Sequence, residues 1–228
     1  MSLSIIIPAL DEAGNIAQLL AHLQPLRRRG VEVIVVDGGS ADGTASLAGA
    51  GTDRVLVSAP GRARQMNAGA AAARGEILCF LHADSLLPEN ADGLIIDGLS
   101  RGRRSWGRFD VHIAGSHPML KVIAWMMNRR SRLTGITTGD QGMFVTRSLF
   151  EAAGRFPEIA LMEDIALSRQ LKKYSAPLCI THRLTTSGRR WEQHGLWRTM
   201  LLMWRLRLAY WLGADPDKLA LRYARHKP

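Results

Sequence analysis

The sequence predicts an α/β protein built on a mostly parallel, doubly wound sheet. Apolar runs of strand length alternate with segments of helical periodicity through residues 1–102, and the connections between them are short. The run at 31–36 is apolar at nearly every position, which is typical of strands covered on both faces. At 228 residues the chain is long enough for one large domain with a full core.

Four strand–helix units fill the first half of the chain. The first strand is closed by Pro8, and an amphipathic helix follows it as far as Gly30. The second strand ends in a Gly-rich turn, where Ser40 is a suitable N-cap for the next helix. Pro88 stands where the helix after the fourth strand would begin. The four predicted strands lie at 3–8, 31–36, 54–58 and within 75–85.

The second half is more basic and less regular, although it shows no linker or internal repeat. We expect one continuous domain over 1–190, with a nucleotide-binding half at 1–102 and an acceptor half at 103–190. A helical extension at 191–228 is expected to pack on the same domain. The elements predicted here are strands at 109–114, 139–145 and 177–182, helices at 146–153, 161–173 and 193–225, and a break at 213–216.

Composition narrows the range of partners. With 30 Lys and Arg against 20 Asp and Glu, the net charge of +10 favours nucleotide diphosphates, phospholipid surfaces or nucleic acid. Cys79 and Cys179 both lie in apolar runs, as expected of buried thiols in a reducing compartment. The sequence shows neither a signal peptide nor an apolar run long enough to span a membrane. We therefore expect a cytoplasmic protein, with peripheral contact at the inner membrane face left open.

The fourth strand ends in His82 and the isolated carboxylate of Asp84. Because α/β proteins place their chemistry at the carboxyl ends of strands, we expect Asp84 to hold Mn²⁺ or Mg²⁺ against a nucleotide diphosphate. His82 is a candidate helper ligand that would favour manganese. The alternatives are a helix cap for Asp84 and a hydrogen-bonded structural role for His82.

Four motifs in this order carry a resemblance to a known family. The chain resembles the family 2 glycosyltransferases of GT-A fold over roughly residues 3–190. It is most similar to their small soluble branch, some of whose members are assigned to arsenosugar biosynthesis. The motifs are SIIIPALDEAGNI at 4–16, VIVVDGGSADGT at 33–44, GRARQMNAGAAAARGEILCFLHADSLLP at 61–88, and GDQGMFVTRSLFEAAGRF with LMEDIALSRQL within 139–171.

The resemblance implies an inverting, metal-dependent transfer of a sugar from a nucleotide-diphosphate sugar to an acceptor hydroxyl. Two positions depart from the family's pattern. Gly38 stands where a second aspartate is usual, and His82 replaces the first carboxylate of the acidic metal-binding motif. Asp84 is thereby left as that motif's retained carboxylate.

The resemblance also assigns roles to residues. Asp164 is the expected general base, with Glu163 orienting it or contacting the acceptor. Asp140 and Trp191 are expected on the acceptor side. Residues expected to bind the donor are Pro8, Leu10, Glu12, Asp37, Arg62, Arg64, Asn67, Ala83, Asp84, Arg189 and Arg190.

Several of these assignments have a structural alternative. Asp37 could stabilise its own turn, and Glu12 could be a helix N-terminal charge favoured by the helix dipole. Glu163 and Asp164 could likewise be a pair of N-terminal helix acids. The remaining alternative is a solvated surface role, which applies to Arg62, Arg64, Arg189 and Arg190.

The C-terminal helix carries a continuous apolar seam. We expect the seam to dock on its own domain or on a second copy in a homodimer. The alternative is insertion at an anionic membrane surface beside a lipid-linked acceptor. The seam residues are Trp197, Leu201, Trp204, Leu208 and Trp211, whereas Arg198, Arg205 and Arg207 lie off it.

Two other functions compete with glycosyl transfer. A sugar-phosphate nucleotidyltransferase would need a basic, Gly-rich loop after the first strand, where this chain has Asp11 and Glu12. A basic nucleic-acid-binding or non-catalytic nucleotide-binding protein would agree with the net charge. However, the sequence shows no helix-turn-helix, zinc or RNA-recognition signature.

Overall fold

The computed structural model describes residues 1–224, apart from the side chains of residues 190, 193 and 194. These residues form one eight-stranded sheet in the order β3-β2-β1-β4-β7-β6-β8-β5, with helices packed on it. The strands are β1 Leu3–Ala9, β2 Glu32–Asp37, β3 Arg54–Val57, β4 Ile77–Phe80, β5 Ser85–Leu86, β6 Trp106–Ala114, β7 Met143–Thr146 and β8 Leu178–Ser187. The helices are α1 Ala13–Arg28, α2 Thr44–Gly49, α3 Arg62–Ala72, α4 Ala91–Ser100, α5 Met119–Thr134, α6 Arg147–Ala152, α7 Glu163–Leu171, α8 Arg189–His194, α9 Leu196–Trp211 and α10 Pro216–Ala224.

The predicted α/β class and the mostly parallel sheet are confirmed. β1 to β4 are parallel, with Ile5 of β1 opposite Val33 of β2 and Cys79 of β4. The antiparallel strand β7 separates them from β6 and β8, which run parallel to each other. All side chains of β1 and β2 are buried, so helices must cover both faces of the sheet, as the unbroken apolar runs predict.

Two apolar layers form the core, one on each face of the central strands. Ile5 and Ile7 point into the layer that includes α1, whereas Ile6 points into the layer that includes α3. This alternation follows from the two-residue period of a strand. Both cysteines are free thiols, and burial raises the pKa of Cys79 to about 12.

The second half differs from the prediction mainly at β8. Its polar end, Arg183–Ser187, continues the strand because it pairs with Asp110–Ala114 of β6, beyond a register shift at Phe109. The edge strand β5 pairs with the same end, through Ser85 and Thr186. These non-local pairs carry β8 five residues past the predicted end at residue 182 and bring Ser187 beside the Asp84 loop.

The C-terminal helices α9 and α10 contact the start of α7 through residues outside the predicted seam. Leu206 of α9 and Leu219 of α10 are buried against Met162 and Ile165 at the start of α7. Of the two docking surfaces expected for the seam, its own domain is therefore wrong, and docking on a second copy stays a prediction. The seam points outward, and the relative exposures are 64% at Trp197, 46% at Leu201, 49% at Trp204, 57% at Leu208 and 70% at Trp211. Over residues 1–224, none of the helices has the length and apolar character needed to cross a bilayer.

Candidate active site

A pocket of about 460 Å³ opens between the ends of the central strands and the C-terminal helices. One wall consists of the loop after β1, the loop after β4, and the end of β8. The opposite wall comes from the segment 138–140, the start of α7, and one face of α9. Nine residues with predicted functions line it, namely Glu12, Arg62, His82, Asp84, Asp140, Glu163, Asp164, Arg189 and Trp191.

Asp84 sits at the tip of the β4 loop with its side chain exposed to the pocket. Ser85 donates its hydroxyl to Asp84 Oδ1 at 3.2 Å, and the Ser187 amide donates to the Asp84 carbonyl at 3.2 Å. Ala83 is buried beside it. The loop is thus fixed from both sides, and Oδ2 of Asp84 has no hydrogen-bond donor within the described part of the chain.

The protein groups around Asp84 suit a divalent metal only if a bound small molecule supplies further oxygen ligands. Over the described residues, no group of three or more His, Cys, Asp or Glu side chains could hold a metal ion. One carboxylate is nevertheless enough, because Mg²⁺ and Mn²⁺ are commonly bound by one or two protein carboxylates when phosphates supply the other oxygen ligands. Asp84 therefore suits a metal that arrives with a nucleotide diphosphate.

The surroundings of His82 favour its structural alternative over the role of helper ligand, which stays a prediction. Its Nδ1 lies 3.4 Å from Asp140 Oδ1, and the other edge of the ring lies against Gly139. A Cβ added at Gly139 would come closer than 3.0 Å to both Nε2 and Cε1 of the ring. Because both ring nitrogens face protein groups, the structural alternative fits His82 better than metal ligation.

A short polar network joins the loop after β1 to the start of α8. The Asn15 amide donates to Glu12 Oε2 at 2.6 Å, and Arg189 Nη2 donates to Asn15 Oδ1 at 3.1 Å. This network holds Arg189 at the pocket wall. The side chain of Arg190 lies outside the described residues.

Several predicted donor residues are not brought to the pocket wall. Asp37 is buried and accepts the amides of Gly39 at 3.0 Å and Ser40 at 2.9 Å, so the turn already uses its carboxylate. Pro8 is buried in β1, and Leu10 is exposed beside the pocket lining rather than part of it.

Two predicted contacts from α3 are also replaced by structural ones. Arg64 pairs with Glu158 at 3.2 Å on the surface. Asn67 makes two hydrogen bonds to the backbone of Phe156, at 2.9 and 3.1 Å, and so anchors the segment before α7. The structure does not support the expectation that Arg64 and Asn67 reach the donor.

The paired acids stand at the first turn of α7. Asp164 Oδ2 accepts the Gly139 amide at 2.8 Å, and Oδ1 accepts the amide of Ile165 at 2.7 Å. Met162, directly before them, has a left-handed backbone with φ of 70°, which is uncommon for a residue with a side chain. Backbone strain of this kind is often found at functional sites.

Glu163 differs from its neighbour because it is 5% exposed. Burial raises the pKa of Glu163 above its ordinary value, the negative charge of Asp164 raises it further, and the positive charge of Arg62 opposes both effects. A carboxyl group with a raised pKa next to a hydrogen-bonded carboxylate is a pattern suited to proton transfer.

Other lining residues escaped the sequence analysis. Asn15 lies three residues after Glu12, a helical spacing that could have identified it. Gly139 was noted only as part of a turn. On α9, the residues that face the pocket are Thr199, Met203 and Arg207, which recur every four residues. The sequence analysis considered only the Trp and Leu seam of this helix, which lies on a different face.

Comparisons with known proteins bear on the family and the fold. A family model described as Glycosyl transferase family 2 matches residues 4–151, more than half of the chain. A comparison with curated proteins gave no match.

Solved structures share the fold at low identity. Residues 1–349 of S. aureus TarS, in complex with UDP-GlcNAc, are 16% identical with a TM-score of 0.66, and the match covers 82% of this chain and 58% of that fragment. The mannosyltransferase PcManGT from Pyrobaculum calidifontis, in complex with GDP-Man and Mn²⁺, is 20% identical with a TM-score of 0.66, covering 98% of this chain and 69% of that one. Glucosyl-3-phosphoglycerate synthase from Mycobacterium tuberculosis, in complex with Mn²⁺, UDP and glucosyl-3-phosphoglycerate, is 20% identical with a TM-score of 0.61, covering 81% and 70%.

Proposed function

Since the chain belongs to glycosyl transferase family 2, we propose that it transfers a sugar from a nucleotide-diphosphate sugar to an acceptor hydroxyl, with inversion and with a divalent metal. The observation that carries this proposal is a single pocket lined by carboxylates from two different elements. Asp84 stands at a strand end, and the Glu163 and Asp164 pair faces it from α7. The acidic loop at Asp11 and Glu12 argues against a nucleotidyltransferase.

Asp84 would hold the metal, and the bound metal would supply Lewis-acid neutralisation of the leaving diphosphate. Arg62 and Arg189, on the same pocket, add positive charge for the phosphate oxygens. Neither His82 nor Asp37 is required for this arrangement. In this proposal the half at 1–102 supplies Asp84 and Arg62 for the donor, the half at 103–190 supplies Asp164 for the acceptor, and Arg189 at the end of the second half turns toward the donor.

In the transfer step, the acceptor oxygen forms a bond to the anomeric carbon as the bond from that carbon to the phosphate oxygen breaks. The acceptor proton passes to the Asp164 carboxylate, and the electron pair of the broken bond leaves with the nucleoside diphosphate. The Gly139 and Ile165 amides orient Asp164 for this role. Glu163 supports the pair from its buried position.

The identity of the donor base and of the acceptor is also part of what we propose to test. UDP and GDP sugars are the first donors to test, because the structures of similar fold contain UDP-GlcNAc, GDP-Man and UDP. The matches described above do not support the arsenosugar branch, which stays a hypothesis for the acceptor.

A thermal-shift screen of nucleoside diphosphates and their sugars, with and without Mn²⁺, tests the donor part of the proposal. A ligand that binds the folded state at 100 times its Kd stabilises it by about 2.7 kcal/mol. We expect a melting-temperature rise that needs both nucleotide and metal, and that is lost in Asp84→Ala. A screen without any nucleotide-dependent rise would contradict the proposal.

The exposed seam supports peripheral contact with an anionic membrane, which fits the expected location at the inner membrane face. Trp and Leu side chains project along one face of α9, and Arg198 and Arg205 are exposed next to them. Aromatic residues flanked by arginines suit the interface of anionic lipids. A homodimer through the same face is the alternative outcome.

Flotation of the full chain with liposomes tests this contact. Trp204→Ala with Trp211→Ala should reduce binding to phosphatidylglycerol vesicles by at least about tenfold, since burying a large apolar side chain contributes roughly 1.5–3 kcal/mol. Tyr174→Ala, which removes an exposed aromatic side chain outside the seam, should bind like the wild type. Absence of wild-type flotation, with a dimer that the seam variant dissociates, would favour the homodimer instead.

A further inference from the structure

The helix α5 has an exposed apolar face that no function proposed so far uses. Its buried residues are Leu120, Ile123, Ala124 and Ser131, which lie on one side of the helix. The residues exposed on the opposite side are Val122, Trp125, Met126, Arg129 and Leu133. Because these five positions recur with helical spacing, they form one continuous strip along the outside of α5, called the α5 stripe below.

Exposed tryptophan is concentrated on α5 and α9. Over residues 1–224, the tryptophans that are largely exposed are Trp125 on α5 and Trp197, Trp204 and Trp211 on α9. A large exposed apolar patch commonly marks an interaction surface. Tryptophan in particular is enriched at membrane–water interfaces, where its ring is partly buried in lipid. The two helices therefore form the part of this surface best suited to contact a bilayer.

The charge on these two helices has a single sign. Neither helix contains an Asp or a Glu, whereas α5 has four basic residues and α9 has three. The basic residues exposed beside the apolar positions are Lys121, Arg129, Arg198 and Arg205. The guanidinium group of Arg129 lies 5.9 Å from the centre of the Trp125 ring, so a cation stands within the α5 stripe itself.

This charge distinguishes between the partners that could cover the apolar faces. An anionic lipid surface complements both the apolar residues and the cations, and each Lys or Arg near such a surface strengthens binding. A second copy of the same two helices would instead bring cations against cations, which disfavours association. Charge complementarity therefore favours an anionic bilayer over a second copy of the chain.

The helices α5 and α9 run in the same direction along the pocket. They begin close together, because the Ser116 amide just before α5 donates to Glu192 Oε1 of α8 at 2.8 Å, and α9 begins one residue after α8 ends. About two helical turns after each start, Met127 of α5 and Met203 of α9 line the same pocket. The two helices thus flank the pocket side by side.

Their exposed faces turn to the same side of the pocket. One residue rotates a helix by about 100°. The exposed Met126 comes one residue before the pocket-lining Met127, and the exposed Trp204 comes one residue after the pocket-lining Met203. In parallel helices on opposite sides of a pocket, these opposite rotations point to one common side. The α5 stripe and the seam of α9 therefore adjoin one edge of the pocket.

We infer that α5 is a second bilayer-contact helix, and that α5 and α9 together hold one edge of the pocket against an anionic lipid surface. This inference rests on the membrane contact proposed above for α9, and it does not depend on which sugar or acceptor the chain uses. The apolar side chains enter the lipid interface, and the exposed cations contact lipid phosphates. Arg129 keeps its charged end at the headgroups while Trp125 lies below it.

The fluorescence of Trp125 in the full chain tests this contact directly. A chain with Trp197→Phe, Trp204→Phe and Trp211→Phe keeps Trp125 as its exposed tryptophan. Brominated acyl chains quench a tryptophan that enters the bilayer, so vesicles of brominated and ordinary phosphatidylglycerol are compared. We expect lower emission with the brominated lipid, and a further Trp125→Phe should remove this difference. Equal emission with both lipids would contradict the inference.

Flotation with phosphatidylglycerol vesicles measures the apolar contribution of α5. Trp125→Ser with Leu133→Ser should weaken binding of the full chain by at least about tenfold, because two large side chains no longer enter the lipid. The matched control is Leu47→Ser with Val57→Ser, which replaces exposed apolar residues of α2 and β3. This control should bind as the wild type does, and an equal loss in both variants would contradict a specific role of α5.

The same assay measures the contribution of charge. Lys121→Gln with Arg129→Gln should weaken binding to phosphatidylglycerol vesicles by at least about fivefold, because two cations near the lipid phosphates are lost. Binding to phosphatidylcholine vesicles, which carry no net charge, should be the same in this variant and in the wild type. Wild-type affinity of the variant for phosphatidylglycerol would show that these cations do not face the lipid.

The remaining outcomes separate this inference from its alternatives. If the α5 variants bind like the wild type while Trp204→Ala with Trp211→Ala loses binding, α9 alone contacts the bilayer and the inference is wrong. It is also wrong if the wild type does not float, and a dimer that Trp125→Ser with Leu133→Ser dissociates would then identify the surface as a homodimer interface. None of these results bears on sugar transfer, which the thermal-shift screen tests separately.

Melting curves of the variants show whether each has folded. The substituted side chains are exposed, so we expect melting temperatures close to that of the wild type. If a Ser variant is unfolded, the Trp125 fluorescence decides, because that measurement needs only Trp→Phe substitutions. Quenching of Trp125 then supports the inference, and its absence contradicts it.

Discussion

Gly139 is the position where a single methyl group should disturb the proposed site most specifically. It touches the His82 ring on one side and donates its amide to Asp164 on the other. In Gly139→Ala, the new Cβ would lie under 3.0 Å from Nε2 and Cε1 of His82, and ordinary contact needs 3.4–4 Å. Either the ring or the segment bearing the amide must therefore move by roughly 1 Å.

A displacement of about 1 Å in a residue that orients a catalytic group can reduce a rate by roughly 100-fold. We expect donor turnover, measured as nucleoside diphosphate release with water as the acceptor, to fall by about 10–100-fold in Gly139→Ala. Nucleoside diphosphate binding should change little. Gly93→Ala in α4, where an added Cβ meets no atom within 4 Å, is the matched control and should retain wild-type turnover.

A double-mutant cycle identifies the origin of the loss. If the clash with the His82 ring is responsible, Gly139→Ala should cost almost nothing further in a His82→Ala background. Wild-type turnover in Gly139→Ala would refute the proposed link between Gly139 and Asp164. An equal penalty in both backgrounds would show that the ring contact is not its cause.

Three further predictions follow from charged groups. Asp164→Asn should lower transfer by about 10²–10⁴-fold with donor binding unchanged, as expected for a general base, and wild-type rates would exclude that role. Because the raised pKa of Glu163 means that the folded chain holds this proton more tightly, stability should decline as pH rises from 4.5 toward the raised value. Glu163→Gln should remove that decline in pH-dependent melting, and an unchanged pH profile would contradict the burial argument. Asp110→Ala leaves the buried Arg108 without its carboxylate, which should lower the free energy of unfolding by about 3–5 kcal/mol and the Tm by roughly 6–20 °C. If urea unfolding shows that this free energy falls by less than about 1 kcal/mol, the ion pair is not needed for stability.

The first half of the fold was predictable because its signals are local. Continuous apolar runs, Gly-rich turns and helical spacing each identify one element without reference to the rest of the chain. The end of β8 was not predictable in this way, since Arg183–Ser187 is a polar stretch that becomes a strand only by pairing with β6. Strand pairing of this kind depends on neighbours far away in sequence.

The site shows the same division between local and non-local information. Asp84, Glu163 and Asp164 could be placed at one pocket from the sequence because a strand end and a helix start are recognisable locally. The hydrogen bonds between Asn67 and the backbone of Phe156 could not be predicted, because the motif around Asn67 gives no sign of this distant partner. Arg207 was not predicted to line the pocket, because the larger apolar side chains of α9 suggested that their face is the buried one. In the structure those side chains are exposed, and the face that lines the pocket carries both polar and apolar residues.

Release of nucleoside diphosphate from UDP and GDP sugars in the presence of Mn²⁺ tests the central claim most directly. The wild type should turn over at least one of these donors, and product analysis by NMR should show an inverted anomeric configuration. Asp84→Ala should lose most of this activity while keeping the wild-type melting temperature without ligand, because its side chain is exposed. Turnover that survives Asp84→Ala unchanged, or a wild type that releases nucleoside diphosphate from neither class of donor, would contradict the assignment of this pocket.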